Sequence, residues 1–217
     1  MPVLAIADRI RWGRVGWYVA RSRRIQGWVR NVEAVALAQA SYQLPADAVI
    51  VEVGSFLGCS AVLLAGARKL RGSGRLHCID PFDASGDAFS VPVYRAIARR
   101  GRRSLRRRFE RNITRAGLAD WVHVHQGLSS DIVRTWSEPI DLLFLDGDHA
   151  HPAARRTFDE WRPFLKPGAI VAIHNSSRGY RRENHDGSAR LGEYVADSPE
   201  FEEVSFVDSL TFVRIRI

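Results

Sequence analysis

The stretch "VIVEVGSFLGCSAVLL", Val49 to Leu64, constrains the fold more than any other part of the chain. An unbroken β-branched run enters two glycines and continues directly into an apolar helical period. That order describes a buried strand, a tight turn and a helix packed back on the same sheet. The alternation repeats downstream. Candidate strands are Val49 to Val53, Arg75 to Asp80, Val122 to His125, Asp141 to Leu145 and Ala169 to His174. Helical periods lie between them at Cys59 to Leu70, Val93 to Ala116, Ser130 to Trp136 and Pro152 to Phe164. Pro167 and Gly168 mark the stop before the fifth strand. A loop from Asn175 to Asp186, a short helix from Ser188 to Ala196, and two runs, Glu203 to Val207 and Thr211 to Ile217, follow; the runs read as an antiparallel pair joined by "DS".

Such an open parallel sheet binds ligands beyond the carboxyl ends of its strands, so the strand ends are where chemistry is expected. They read "EVGSFLG", "CIDPFD", "HVHQGLS", "LFLDGDH" and "AIHNSS". Glycine and Asp are ordinary turn formers, but five strands deliver them to one edge. The first turn spaces its glycines G-x-x-x-G, with Phe56 where a dinucleotide fingerprint needs a glycine. Glu52 beside this turn repels phosphate and attracts an ammonium or sulfonium, unless it is a capped structural carboxylate. Asp80 is placed to accept hydrogen bonds from both ribose hydroxyls, or to shape the turn before Pro81. Together they suggest a nucleoside with a cationic tail.

The motifs "VEVGSFLGCS", "HCIDPFD", "VHVHQGLSSD", "IDLLFLDGDHAH" and "WRPFLKPGAIVAIHN", in this order, resemble the class I S-adenosylmethionine-dependent methyltransferases, in particular the small sugar and natural-product O-methyltransferases with D-G-D-H after the fourth strand. The resemblance covers roughly Trp28 to Ile217. It implies a Rossmann-like α/β fold: a seven-stranded, mostly parallel sheet of order 3-2-1-4-5-7-6, the last strand antiparallel, with helices on both faces. It places Glu52, Gly54, Ser55, Gly58 and Ser60 around the methionine part of S-adenosylmethionine, Asp80 at the ribose, Gln126, Gly127 and Ser129 near the adenine, and Asp146 at the cofactor. His149 is the candidate general base, or else a turn residue bonded to backbone. Asp146 would orient His149 or, with His174 and Asn175, hold a divalent cation such as Mg²⁺. Relatives often show His-Asp or two acidic residues where this chain has His174-Asn175. The implied reaction is methyl transfer to a hydroxyl of a sugar or other small metabolite; an inactive nucleoside-binding partner subunit is the alternative.

The net charge of +8 is segmental. Residues 1–30 hold seven Arg against one Asp, and residues 95–115 hold ten Arg against one Glu, so the rest of the chain is acidic. The second run is a solvated face, a dock for a phosphorylated or carboxylated acceptor, or a dock for an acidic carrier protein; no nucleic-acid motif accompanies it. Residues 1–44 read as a helical, basic-aromatic cap on a domain spanning 45–217. Trp12, Trp17, Tyr18 and Trp28 among arginines fit a lid, a homodimer contact or a helix on an anionic membrane surface. Cys59 and Cys78 read as buried thiols. No apolar run reaches the ~18 residues of a membrane span and no signal-peptide pattern opens the chain, so a soluble, cytoplasmic protein is expected.

Overall fold

The computed structural model describes residues 12–216. Two helices, α1 (Gly16–Ser22) and α2 (Asn31–Gln43), precede β1 (Val49–Val53). There follow α3 (Cys59–Arg71), β2 (Arg75–Asp80), α4 (Val91–Arg100), α5 (Leu105–Arg115), β3 (Val122–Gln126), α6 (Ser129–Ile132) and β4 (Ile140–Leu145). The chain continues through α7 (Ala153–Trp161), β5 (Leu165–Ile173), α8 (Gly187–Asp197), β6 (Phe201–Val207) and β7 (Leu210–Ile215). The seven strands form one sheet of order β3-β2-β1-β4-β5-β7-β6, and β7 runs antiparallel to both its neighbours.

Alternation along β1 explains the two cores. Ile50 faces a cluster with Leu76, Leu142 and Phe144 beneath α1, α2 and α3. Val51 and Val53 face Leu143, Phe158 and Trp161 beneath α7 and α8. Both faces are covered at the centre of the sheet, so β1 and β4 are fully buried and almost wholly apolar, whereas the edge strand β3 is polar and partly exposed. In the described part of the N-terminal segment, Tyr18 and Val19 are buried in the first cluster, and Trp12 and Trp17 pack against it. Of the aromatics expected to serve a lid, a dimer contact or a membrane surface, Trp12, Trp17 and Tyr18 are thus drawn into the core while Trp28 stays exposed; the part of that segment at residues 1–11 lies outside the described residues. No helix of the described residues is long and apolar enough to cross a membrane.

Three elements differ from the expectation. The helical period over Val93 to Ala116 is two helices, because Gly101 adopts an extended conformation and Ser104 starts the second by accepting a hydrogen bond from the Arg107 N–H. The fifth strand begins at Leu165 and runs through Pro167 and Gly168; pairing with β4 is irregular there, and a ladder irregularity is one of the few places a strand tolerates proline. β6 starts at Phe201, before the Glu203 expected, and is bulged between Glu202 and Ser205.

Candidate active site

The carboxyl ends of β1, β2, β3, β4 and β5 surround a cavity of about 710 Å³. Gly54 makes the close approach on which this edge depends. Its N–H donates to Ile79 O (2.9 Å), and the Asp146 N–H donates to Val53 O (2.9 Å), which brings the two turns together. At φ +91° Gly54 is in the left-handed region, and a Cβ there would overlap the Asp146 carbonyl.

Asp80 ties down the first turn. Its Oδ2 accepts the N–H groups of Ser55 (3.0 Å) and Phe56 (2.8 Å), and its Oδ1 accepts that of Phe82 (2.6 Å). Burial pushes its pKa up against those three bonds. Asp80 both shapes the turn and lines the cavity.

Glu52 lies behind that wall rather than on it. It is fully buried on the α3 face of β1, where Oε2 accepts from Ser55 Oγ (2.7 Å) and Cys78 Sγ (3.2 Å) while Oε1 has no partner. Burial raises its pKa to about 7, against hydrogen bonds from Ser55, Ser60 and Cys78. Glu52, expected to face the ammonium directly, is thus not among the residues lining the cavity and bears on the turn through Ser55. Gln126 is likewise off the wall, exposed and bonded to Arg106 (2.7 Å) and the Pro81 carbonyl (3.2 Å). Ser55, Gly58's neighbours Leu57 and Cys59, Ser60, Gly127 and Ser129 do reach the cavity. Gly58 itself opens α3 at φ +86°. Ser129 is fixed by the Trp161 indole N–H (2.7 Å).

At the other end of the cavity, Asp146, His149, His174 and Asn175 come together. His174 Nδ1 donates to Asp146 Oδ1 (2.7 Å), and its Nε2 faces Glu33 Oε2 (3.8 Å) on α2. Burial alone would discharge this ring, but the two carboxylates outweigh it and push its pKa up to about 10. Burial also opposes charge on Glu33, yet bonds from His174 and from the Ser209 N–H (2.8 Å) and Oγ (2.6 Å) hold it at about 2. A position between two carboxylates favours the protonated ring, the form that offers a metal no lone pair.

His149 sits 3% exposed, with Nδ1 against Ser188 Oγ (2.8 Å) and Nε2 against Asn175 Nδ2 (3.3 Å) and Asp146 Oδ1 (3.6 Å). Burial lowers its pKa despite the pull of Asp146, so the ring is neutral. Since the Asn175 amide donates to Nε2, the proton is assigned to Nδ1 and the lone pair to Nε2. The set expected to bind Mg²⁺ does not fit. His174 is cationic, Asp146 has one oxygen engaged by it, Asn175 offers a single carbonyl, and no group of three or more His, Cys, Asp or Glu suited to a metal occurs among the described residues.

A third histidine joins the site without any signal in the sequence. His185, from the loop after β5, lines the cavity with its ring 5.0 Å edge-on from that of His149. Its Nδ1 lies 3.1 Å from Asp87 Oδ1, a buried carboxylate that also accepts the Ser90 N–H (2.9 Å). Burial pushes Asp87 up, but the Ser90 bonds and His185 hold it below the usual carboxylate value. Asp87 and His185 are 98 residues apart, so no local spacing announces the pair. Trp28, Phe56 and Tyr94 complete the wall as a ring cluster with centroids 5.2–5.5 Å apart.

A doubly covered sheet of this order with its cavity at the strand ends defines a Rossmann-like methyltransferase fold. The family model described as "Methyltransferase domain" matches residues 51–176, and the chain belongs to that family. The fold is shared with the O-methyltransferase TomG of Streptomyces achromogenes (18% identity, 98% of this chain and 96% of that one, TM-score 0.64). An O-methyltransferase of Bacillus cereus (20%, 94% and 90%, 0.60) and a methyltransferase of Geobacter sulfurreducens (19%, 100% and 91%, 0.63) are similar in the same way.

Proposed function

We propose that the protein is an S-adenosylmethionine-dependent O-methyltransferase that methylates a hydroxyl of a sugar or other small metabolite. The observation that carries this is the pairing, across one cavity, of Asp80 at the end of β2 with a neutral His149 beyond β4. TomG was solved in complex with S-adenosylmethionine and the Bacillus cereus enzyme with S-adenosylhomocysteine, which supports the same cofactor here. The residues fit it. Asp80 retains lone pairs for ribose hydroxyls, Leu128, 54% exposed beside Gly127, offers an apolar surface for the adenine, and the glycine turn admits the methionine part close to backbone.

When bound, the cofactor supplies a methyl group already activated by its sulfonium. The chain's task is then to position the acceptor and take its proton. Phe56 and Tyr94, the inner part of the aromatic wall, exclude water and hold the acceptor's apolar face. His149 Nε2 receives the hydroxyl proton, the acceptor taking the place of the Asn175 amide at that nitrogen, and Asp146, fixed by His174, stabilises the imidazolium that results. Asp87 holds His185 beside it as a polar contact for the acceptor. No step is assigned to Mg²⁺.

Calorimetry with S-adenosylhomocysteine tests the reading. Micromolar or tighter binding that Asp80→Asn weakens about tenfold or more is expected, in line with the loss of a hydrogen bond to a charged group. Failure of both donor and product to bind the folded wild-type chain would overturn it.

A further inference from the structure

The mouth of the cavity carries apolar side chains that the fold leaves in solvent. Trp28, Phe89 and Val93 all line it, yet are 44%, 45% and 49% exposed. Single exposed apolar residues are ordinary; three large ones on one rim mark a surface that meets something apolar. The helix that carries Val93 continues into arginines. Arg95, Arg99 and Arg100 on α4, and Arg102 and Arg103 in the link to α5, are exposed and have no carboxylate partner among the described residues. Arg107 continues the charge into the first turn of α5. The start of α5 lies at the carboxyl edge of the sheet, since Leu105 lines the cavity and Arg106 bonds Gln126, the last residue of β3. Arg182 adds a cation over the Phe89 ring at 3.9 Å.

We infer that this rim and the arginine face of α4 dock on an anionic phospholipid bilayer. The apolar residues enter the headgroup boundary, and the arginines meet lipid phosphates around them, the two signals that peripheral binding needs together. A nucleic acid would use the arginines but leave Trp28, Phe89 and Val93 unsatisfied, so the apolar rim favours lipid. Docked this way, the cavity opens toward the membrane surface and admits an amphipathic acceptor without its leaving the lipid. The docking itself does not depend on the methyl-transfer reading.

Co-sedimentation of the full chain with vesicles tests it. Vesicles of phosphatidylglycerol and phosphatidylcholine in equal parts are expected to pull the protein down, pure phosphatidylcholine vesicles are not, and added salt should release it. Arg99→Glu, Arg102→Glu and Arg103→Glu should each weaken binding about fivefold or more. Phe89→Ser with Val93→Ser should weaken it about tenfold, with an unchanged melting temperature showing that these exposed changes leave the fold intact. Absence of binding to the anionic vesicles overturns the inference. So does binding that survives loss of Phe89 and Val93, or that soluble heparin competes for equally well in the wild type and the Phe89/Val93 variant, because either identifies a general polyanion surface. The outcome is separable from cofactor binding, which calorimetry reads without vesicles.

Discussion

His174 and Asp146 form a buried ion pair, Nδ1 to Oδ1 at 2.7 Å, at the point where β5 and β4 deliver their last residues to the cavity. Glu33 on the other side of the imidazolium makes the pair a bridge between the sheet edge and α2. Removing the cation leaves a buried Glu33 and a largely buried Asp146 without the charge between them. His174→Gln should therefore destabilise the protein by about 3 kcal/mol, read as a fall in urea midpoint at unchanged slope. An unchanged midpoint would show that the ring is not charged.

The same pair bears on metals. With His174 protonated, EDTA or added Mg²⁺ should leave the affinity for S-adenosylhomocysteine and the melting temperature unchanged. A Mg²⁺-dependent rise in melting temperature that Asp146→Asn abolishes would show a binding site assembled on rearrangement.

Glu52 gives a pH signature. Its folded pKa, raised by burial to about 7, lies above the ordinary 4.5. Between those values the folded chain holds a proton that the unfolded chain has released. The contribution of this group to stability is thus greatest below pH 4.5, falls as pH rises to 7 and is flat above it. Glu52→Gln should remove that slope and stabilise the ligand-free protein at pH 8 by up to about 3 kcal/mol. Melting curves of both proteins from pH 5 to pH 8 check this; parallel curves would contradict it.

Gly54→Ala should damage the site more than its one methyl suggests. The position has φ +91°, and the new Cβ would overlap the Asp146 carbonyl. A loss of about 2 kcal/mol or more is expected, together with weakened S-adenosylhomocysteine binding because the β1 and β4 turns must separate. Wild-type affinity in a folded Gly54→Ala protein would sink the crowding argument.

For His149, the proposed base role separates binding from rate. His149→Ala should keep product affinity within about twofold while turnover of a hydroxyl acceptor falls about 100-fold or more. Release of S-adenosylhomocysteine is the readout. Loss of affinity with normal turnover would assign the residue to the cofactor instead.

Most of the sheet is legible in the sequence because β-branched runs and helical periods are local signals. The strand order needed the family resemblance as well. Gly101 was passed over inside an arginine-rich helical period, since a single glycine among good helix formers does not by itself end a helix. Pro167-Gly168 misplaced the start of β5 because a proline at an irregular ladder position leaves the strand intact. At the site, Asp80, Asp146 and His149 were readable from their place at strand ends. The protonation of His174 was not, because it depends on Glu33, 141 positions away in sequence. Nor was the side on which Glu52 lies, which alternation along β1 decides.

The Ser209 turn between β6 and β7 holds Glu33 from 176 residues further along the chain. A ribosome therefore delivers Glu33, Asp146 and His174 before the group that fixes the first of them. Until the last hairpin emerges and closes against the sheet, the nascent protein has its five parallel strands but not its finished pocket, and any cleavage that removed this hairpin would silence the site from its far side.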